Sequence, residues 1–309
     1  MQIVYLSNRP TLLLETLKQV VLFMPFVNEV VVCVPDIMVT EFNSCANQNC
    51  VMTVIRESEI LNQTELASVR ELDHQRRNYL LRTKLAQHEE IAEEFVMSDD
   101  DSRPLKAISL DNFVKDSKHR SFFYYDMREW NHNQTDFDVG QISTCAILGY
   151  HNLPQLSFAS HMPQIINKSL FLEAAAFFEP HSSDQPICEW SSYFNFAHNR
   201  KPQLFSMPEP YQTLCWPEHP LAWKQTVIPK EFMFENFTPS LYLKGMPFKN
   251  FNNEDEHETT RQDQYTIAKI IKWHRYSLAM RFPEQRPGIG EIPSFANLEK
   301  QATEIAFLP

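Results

Sequence analysis

The stretch EEFVMSDDDSRPL, Glu93 to Leu105, runs a short apolar segment, Phe95-Val96-Met97, directly into three aspartates, Asp99, Asp100 and Asp101. The apolar segment has the length and composition of a strand buried in a sheet. Packed carboxylates repel one another, and each is stabilised only when a cation or a hydrogen-bond donor comes to it. A strand that leaves the core on three of them therefore asks for a partner at its carboxyl end.

The segments before this strand supply its setting. QIVYLS (Gln2 to Ser7) reads as a strand, and TLLLETLKQVVLFM (Thr11 to Met24) carries apolar residues at helical spacing behind Arg9-Pro10. EVVVCVP (Glu29 to Pro35) is a β-branched run of the kind buried on both faces of a parallel sheet, and CVMTVI (Cys50 to Ile55) reads as a third strand. A polar helix is expected from about Thr64 to Glu90. The order predicts a Rossmann-like three-layer α/β sandwich with a central, mostly parallel sheet and C-terminal additions. In such sheets ligands bind beyond the carboxyl ends of the strands, where the acidic triplet falls.

Beyond Asp101 the pattern is less regular. RSFFYYDM (Arg120 to Met127) is a strand candidate, Val139 to Tyr150 is helix or strand, and a helix is expected over Lys168 to Glu179. Loops and short strands are expected over Lys201 to Pro247, and an amphipathic helix over about Thr260 to Arg281. With no repeat and no low-complexity linker, residues 1–309 read as one domain with C-terminal additions, divided after the acidic triplet into 1–105 and 106–309.

Composition narrows the chemistry. A net charge of −11 over 309 residues argues against a broad phosphate-neutralising face, so nucleic acid is not an expected partner and a nucleotide suits the chain better. Only 5 glycines stand against 20 prolines and 23 phenylalanines, and neither GxGxxG nor GxxxxGK[ST] occurs. Any phosphate must be held another way. The six cysteines, Cys33, Cys45, Cys50, Cys145, Cys188 and Cys215, form no CxxC pair and read as reduced structural thiols. No apolar run reaches membrane-span length and the start shows no leader pattern, which favours the cytoplasm.

Asp-x-Asp at the mouth of a sheet suits a hard divalent cation, Mg²⁺ or Mn²⁺, which bridges one or two carboxylates to substrate phosphates. If strand geometry persists, Asp99 and Asp101 share a side and Asp100 points away, so Asp99 and Asp101 are the metal candidates, with Asp99 also on the nucleotide. A solvated acidic turn is the alternative. His161 in SHMP can be held rigidly beside a proline, as a third metal ligand, an acid/base group or a structural imidazole. Arg9, Arg77 and Arg82 are cations able to face a diphosphate, with Arg9 and Arg82 preferred; Lys244 and His257 are weaker candidates on C-terminal loops. Glu189, followed by Trp190, Tyr193 and Phe194, reads either as a carboxylate able to accept a hydroxyl proton or as a first-turn residue of a helix with its aromatics in the core.

VMSDDD behind a β-α-β start resembles the Asp-x-Asp motif of nucleotide-sugar glycosyltransferases of the GT-A fold, in which a metal on the motif binds the donor's diphosphate. RRNYLLRTKLAQHEEIAEEFVMSDDDSRPLK and SHMPQIINKSLFLEA are similar in layout to segments of Stealth-type sugar-phosphate transferases, over roughly Arg76 to Glu179. CEWSSYFNFAHNRKP (Cys188 to Pro202) looks like an element of bacterial glycosyltransferases acting on surface polysaccharides, where the glutamate lies near the acceptor. The resemblance implies a UDP-, CMP- or GDP-activated sugar as donor, Mn²⁺ or Mg²⁺ as cofactor, and a glycan or lipid-linked glycan as acceptor, the last compatible with peripheral contact with the inner face of a membrane. Three functions follow as expectations: glycosyl transfer to a hydroxyl, with Glu189 or His161 as base if the reaction inverts; glycosyl-phosphate transfer, with attack on phosphorus; or a non-catalytic glycan-binding module.

Overall fold

A computed structural model describes residues 1–43, 51–130, 133–182, 185–214 and 233–239. Strand β1 (Gln2–Leu6) leads into helix α1 (Pro10–Phe23), which opens with Pro10 in its first turn, where the missing N–H costs nothing. Strands β2 (Glu29–Val34) and β3 (Val51–Arg56), helix α2 (His74–Gln87) and strand β4 (Glu94–Asp99) follow. After the triplet come β5 (Ser102–Pro104), α3 (Asp136–Tyr150), β6 (Gln164–Asn167), α4 (Lys168–Ser182), α5 (Glu189–Arg200) and β7 (Phe234–Asn236).

The central sheet has the order β6-β4-β1-β2-β3, parallel throughout except for β6, which lies antiparallel on β4. Side chains alternate across it, and both faces are covered. Ile3, Tyr5, Val30, Val32 and Val96 pack with Leu13, Leu17 and Val20 of α1 on one face. Val4, Val31, Cys33, Phe95 and Met97 pack on the other with Leu85 and Ala86 of α2, Leu148 of α3, Phe171 of α4 and Tyr193 of α5. Burial on two sides is why β2 reads as an unbroken apolar run in place of an alternating one. The three-layer α/β architecture read from the sequence is the one observed.

Topology fixes where a site can form. From β1 the chain moves outward to β2 and β3, then returns across the sheet to β4 on β1's other side, so the strand order reverses between β1 and β4. Helices connect on opposite faces there, and a crevice opens outside the carboxyl ends of the two strands. Leu6 pairs with Asp99 at that edge, which puts Ser7-Asn8-Arg9 beside the acidic triplet.

Several expectations differ in detail. The helix expected from Thr64 to Glu90 is two, Gln63–Ser68 and α2, because Asp73 accepts the Arg76 backbone N–H at 2.8 Å and caps a new start. Arg120 to Met127 does not join the central sheet, whose β4 edge is taken by β6; it forms two-residue strands, Phe122–Phe123 and Tyr125–Asp126, in small separate sheets. The undecided Val139 to Tyr150 lies in helix α3, opened by Thr135, which accepts from the Asp138 N–H. The helix expected over Thr260 to Arg281, together with Lys244, His257, Cys45, Cys50 and Cys215, lies outside the described residues. No helix among the described residues is long and apolar enough to cross a membrane.

Candidate active site

A cleft of about 470 Å³ opens at the strand-order reversal. Its wall runs along the carboxyl edge of the sheet: Asp99 to Asp101 after β4, Ser7 to Arg9 after β1, Pro35 after β2 and Glu57 after β3. Helix α2 contributes His74, Gln75, Arg77, Asn78 and Arg82, and the loop before β6 contributes His161. Cys188, Glu189 and Trp190 enter at the start of α5, and Asn236 enters from β7. Of the residues singled out in the sequence, Arg9, Arg77, Arg82, Asp99, Asp101, His161 and Glu189 all line this one cleft.

The triplet does not continue the strand. β4 ends at Asp99 and the chain turns, so alternation fails at the next residue. Asp100, expected to point away, is buried against the same cleft. It accepts from Ser7 Oγ at 2.5 Å and from Arg9 Nε at 3.1 Å, and a second Arg9 nitrogen, Nη2, contacts its other oxygen. Thr16 Oγ1 of α1 donates to the Asp100 carbonyl at 2.6 Å. Asp100 is thus the anchor that fixes Arg9, a bidentate guanidinium–carboxylate pair of the strong kind. Arg9 Nη2 also reaches Asp101 Oδ2 at 3.0 Å, while Nη1 has no partner among the described residues.

Arg82 forms a second, deeper centre. It is 4% exposed, donates from Nη2 to Asp99 Oδ1 at 2.6 Å, and places Nε 3.2 Å from Glu189 Oε1, close enough for charge pairing although the N–H is not aligned for a hydrogen bond. Trp190 lies 5.0 Å from the guanidinium carbon, on the ring face. Glu189, equally buried, receives a second partner at 2.8 Å, Gln75 Nε2. Gly140 of α3 makes room for that glutamine: a Cβ there would fall 2.8 Å from Gln75 Cγ. Glu189 is in the first turn of α5 with its aromatic neighbours in the core, as the first-turn reading of CEWSSYF expects, and its carboxylate lines the cleft.

The electrostatics are lopsided. Five carboxylates line the cleft against three guanidinium groups among the described residues, an excess of two negative charges when all are ionised. Burial, then the Asp99 charge, lifts the Asp101 carboxyl to about 6, Arg9 opposing and Asp100 adding to the rise. Burial likewise raises Glu189 against the pull of Arg82. His161, with φ of 50°, is in the left-handed region, and burial lowers its pKa against the opposing charge of Asp99, which keeps the imidazole neutral at neutral pH.

A divalent cation fits part of this set. Asp99 Oδ2 and Asp101 Oδ1 carry no hydrogen bond or ion pair among the described residues, while their partner oxygens are tied to Arg82 and Arg9. Among those residues no group of three or more His, Cys, Asp or Glu side chains is gathered as a metal would need. His161, expected as a third ligand, shares the cleft but does not complete such a set. Two carboxylates are what Mg²⁺ or Mn²⁺ uses when substrate phosphates supply the rest of its shell.

Asp100, Gln75, Glu57 and Asn236 were missed in the sequence. Glu57 was findable: it directly follows β3, the position that drew attention to Asp99 behind β4. Nothing in the sequence marks Gln75 or Asn236.

No protein-family description matches the chain, and no curated protein matches it. Solved structures do resemble its chain course. The galactosyltransferase LgtC, in complex with donor and acceptor sugar analogs, aligns over 87% of this chain and 95% of its own at 13% identity and a TM-score of 0.46. Mouse xyloside xylosyltransferase 1 aligns over 78% and 99% at 9% identity and 0.44, and the glycosyltransferase GlyE of Streptococcus pneumoniae over 92% and 63% at 6% and 0.43.

Proposed function

We propose that the protein is a metal-assisted glycosyltransferase that moves a sugar from a nucleoside-diphosphate donor to a hydroxyl of a glycan acceptor. The observation that carries this reading is the pair Asp99 and Asp101, at the carboxyl end of β4 beside β1, each with one oxygen tied to an arginine and one left over. Two surplus negative charges among the described residues of the cleft repel a bare diphosphate. A diphosphate that arrives with a divalent cation meets no such repulsion, so the charge excess favours a cation-bound donor over an anionic ligand alone. Asp99 and Asp101 would hold Mn²⁺ or Mg²⁺, which when bound offsets charge on the leaving diphosphate.

The chain's own residues divide the remaining work. Arg9, held by Asp100 through its guanidinium and by Ser7 Oγ through its backbone N–H, would offer Nη1, unpaired among the described residues, as a fixed cation for the departing phosphate. Arg82 is a positioning residue: Glu189, Gln75 and Trp190 hold it, and it holds Asp99. With both oxygens of Glu189 engaged, His161 is the better placed proton acceptor for an attacking hydroxyl, being neutral and beside Asp99. In the transfer, the acceptor oxygen bonds to the anomeric carbon, the bond from that carbon to the diphosphate oxygen breaks, and the hydroxyl proton passes to the base. UDP- and GDP-sugars incubated with the protein should release free nucleoside diphosphate only with Mn²⁺ or Mg²⁺, and chelation should stop it. Release that ignores chelation, or no release from any donor under any acceptor, refutes the proposal.

A further inference from the structure

Two charged groups that line the cleft, Glu57 and Arg77, are not used by the arrangement above, and Glu57 feels the charge of Arg77. Glu57 follows β3 directly, is 7% exposed, and lines the cleft. Its carboxylate has no hydrogen bond or ion pair among the described residues, although Arg77 is near enough for its charge to be felt. Arg77, half-buried on the first turn of α2, also lines the cleft and has no ion-pair partner among those residues, whereas Arg9 and Arg82 are both committed to carboxylates.

The Glu57 side chain is largely covered, yet its carboxylate oxygens still reach the cleft, so the group, with no donor among the described residues, is open to one from a ligand. Burial indeed pushes the Glu57 carboxyl above its usual range. Such a group persists where a ligand completes it. The ligand must bring donors, since an ionised carboxylate only accepts. It must also reach Asp99, which lies three strands away along the edge, roughly 14 Å at ~4.8 Å per strand. A vicinal diol on one end of a diphosphate has both properties.

We infer that Glu57 and Arg77 form the nucleoside end of the donor site, with Glu57 accepting the ribose 2′- and 3′-hydroxyls and Arg77 donating to the base or the adjoining phosphate. This rests on the proposed nucleotide-sugar reading and assigns ribose selectivity to residues that no other role explains.

The test is calorimetry with UDP and 2′-deoxy-UDP, and with GDP and 2′-deoxy-GDP, each in the presence of MnCl₂, on the full chain and on Glu57→Gln. A hydrogen bond to a charged group corresponds to about ten- to a hundredfold in affinity. The parent should prefer a ribonucleotide over its deoxy form by about that factor, and Glu57→Gln should lose the preference by weakening the ribo form alone. Without ligand, Glu57→Gln should melt no lower than the parent, because it removes a buried unpaired charge. If the parent binds nucleotides with no ribose preference, or if Glu57→Gln weakens ribo and deoxy forms equally, the inference is wrong and the function proposal stands. If the parent binds none of the four, both fall.

Discussion

Replacing Arg82 with methionine tests the deeper of the two charge centres. Methionine keeps much of the packing under Trp190 but removes the charge between Asp99 and Glu189. Asp99, 28% exposed, can rehydrate, so its share of the loss is small. Glu189 cannot, and retains only Gln75. Removing one partner of a buried pair typically costs about 3–5 kcal/mol.

The chain has one escape, which is to bury Glu189 as the neutral acid. From an ordinary glutamate pKa of about 4.3, protonation costs about 3.7 kcal/mol near pH 7 and about 1 kcal/mol near pH 5. Those figures cap the glutamate's share of the penalty. In the variant the folded-state pKa of Glu189 stands above its unfolded value, so the contribution of this group is fully present below about pH 4 and is lost as pH rises. Arg82→Met should therefore be destabilised by about 3 kcal/mol near pH 7 and by about 1 kcal/mol near pH 5, read from urea unfolding followed by far-ultraviolet circular dichroism. The pair Arg82→Met with Glu189→Gln should recover most of the loss and flatten its pH dependence. A single-variant deficit below about 1 kcal/mol near pH 7, or one that does not change with pH, would refute the claim that Arg82 is the counter-ion of a buried ionised Glu189.

Three further outcomes follow from other parts of the molecule. His198, whose Nε2 lies 2.7 Å from Ser121 Oγ between the rings of Phe158 and Phe205, is driven down to about 4 by burial. Its folded pKa is below the unfolded value of about 6.5, so stability should fall between about pH 6.5 and pH 4 by roughly 2–3 kcal/mol, a slope that His198→Asn should remove from pH-dependent melting curves. Arg103→Leu removes the guanidinium that pairs with the buried Glu235 carboxylate, and because β7 also carries Asn236 into the cleft and Phe237 N–H donates to the Asp101 carbonyl at 2.7 Å, both unfolding stability and nucleotide affinity should drop; Lys18→Ala, at an exposed position whose pair with Glu15 lies on the surface, should change stability by under about 0.5 kcal/mol. Product analysis by ³¹P NMR should find free nucleoside diphosphate and a phosphorus-free glycoside; a phosphodiester in the product would move the reaction to glycosyl-phosphate transfer.

How far the sequence alone carried this picture differs between layers. The strands β1, β2 and β4 were legible because burial on both faces removes ambiguity: from Val30 to Val34 there is no polar residue to offer a solvent face. The cleft's place was legible because ligands bind beyond the carboxyl ends of parallel strands, and the acidic triplet falls at one of those ends. What pairs with what was not. Alternation predicted Asp100 on the wrong side because the strand stops one residue earlier, and a turn has no period to extrapolate. Glu189 looked like an acceptor-side base because its partner Arg82 is 107 positions away, and Gln75, which completes the set, is a polar helix residue like many others. Short segments such as Phe122–Phe123 misled because apolar runs of strand composition also serve as cover over a core whose sheet edge is already occupied.

The central claim is that Asp99 and Asp101 together hold a divalent cation that carries the donor's diphosphate. Calorimetric titration of UDP and GDP into the protein, with and without MnCl₂, on the parent and on Asp99→Asn with Asp101→Asn, addresses it directly. The parent should bind a nucleotide only when the metal is present, and the double variant should lose at least about tenfold in affinity together with its metal dependence. Metal-independent binding by the parent, or a double variant that binds as the parent does, would contradict it.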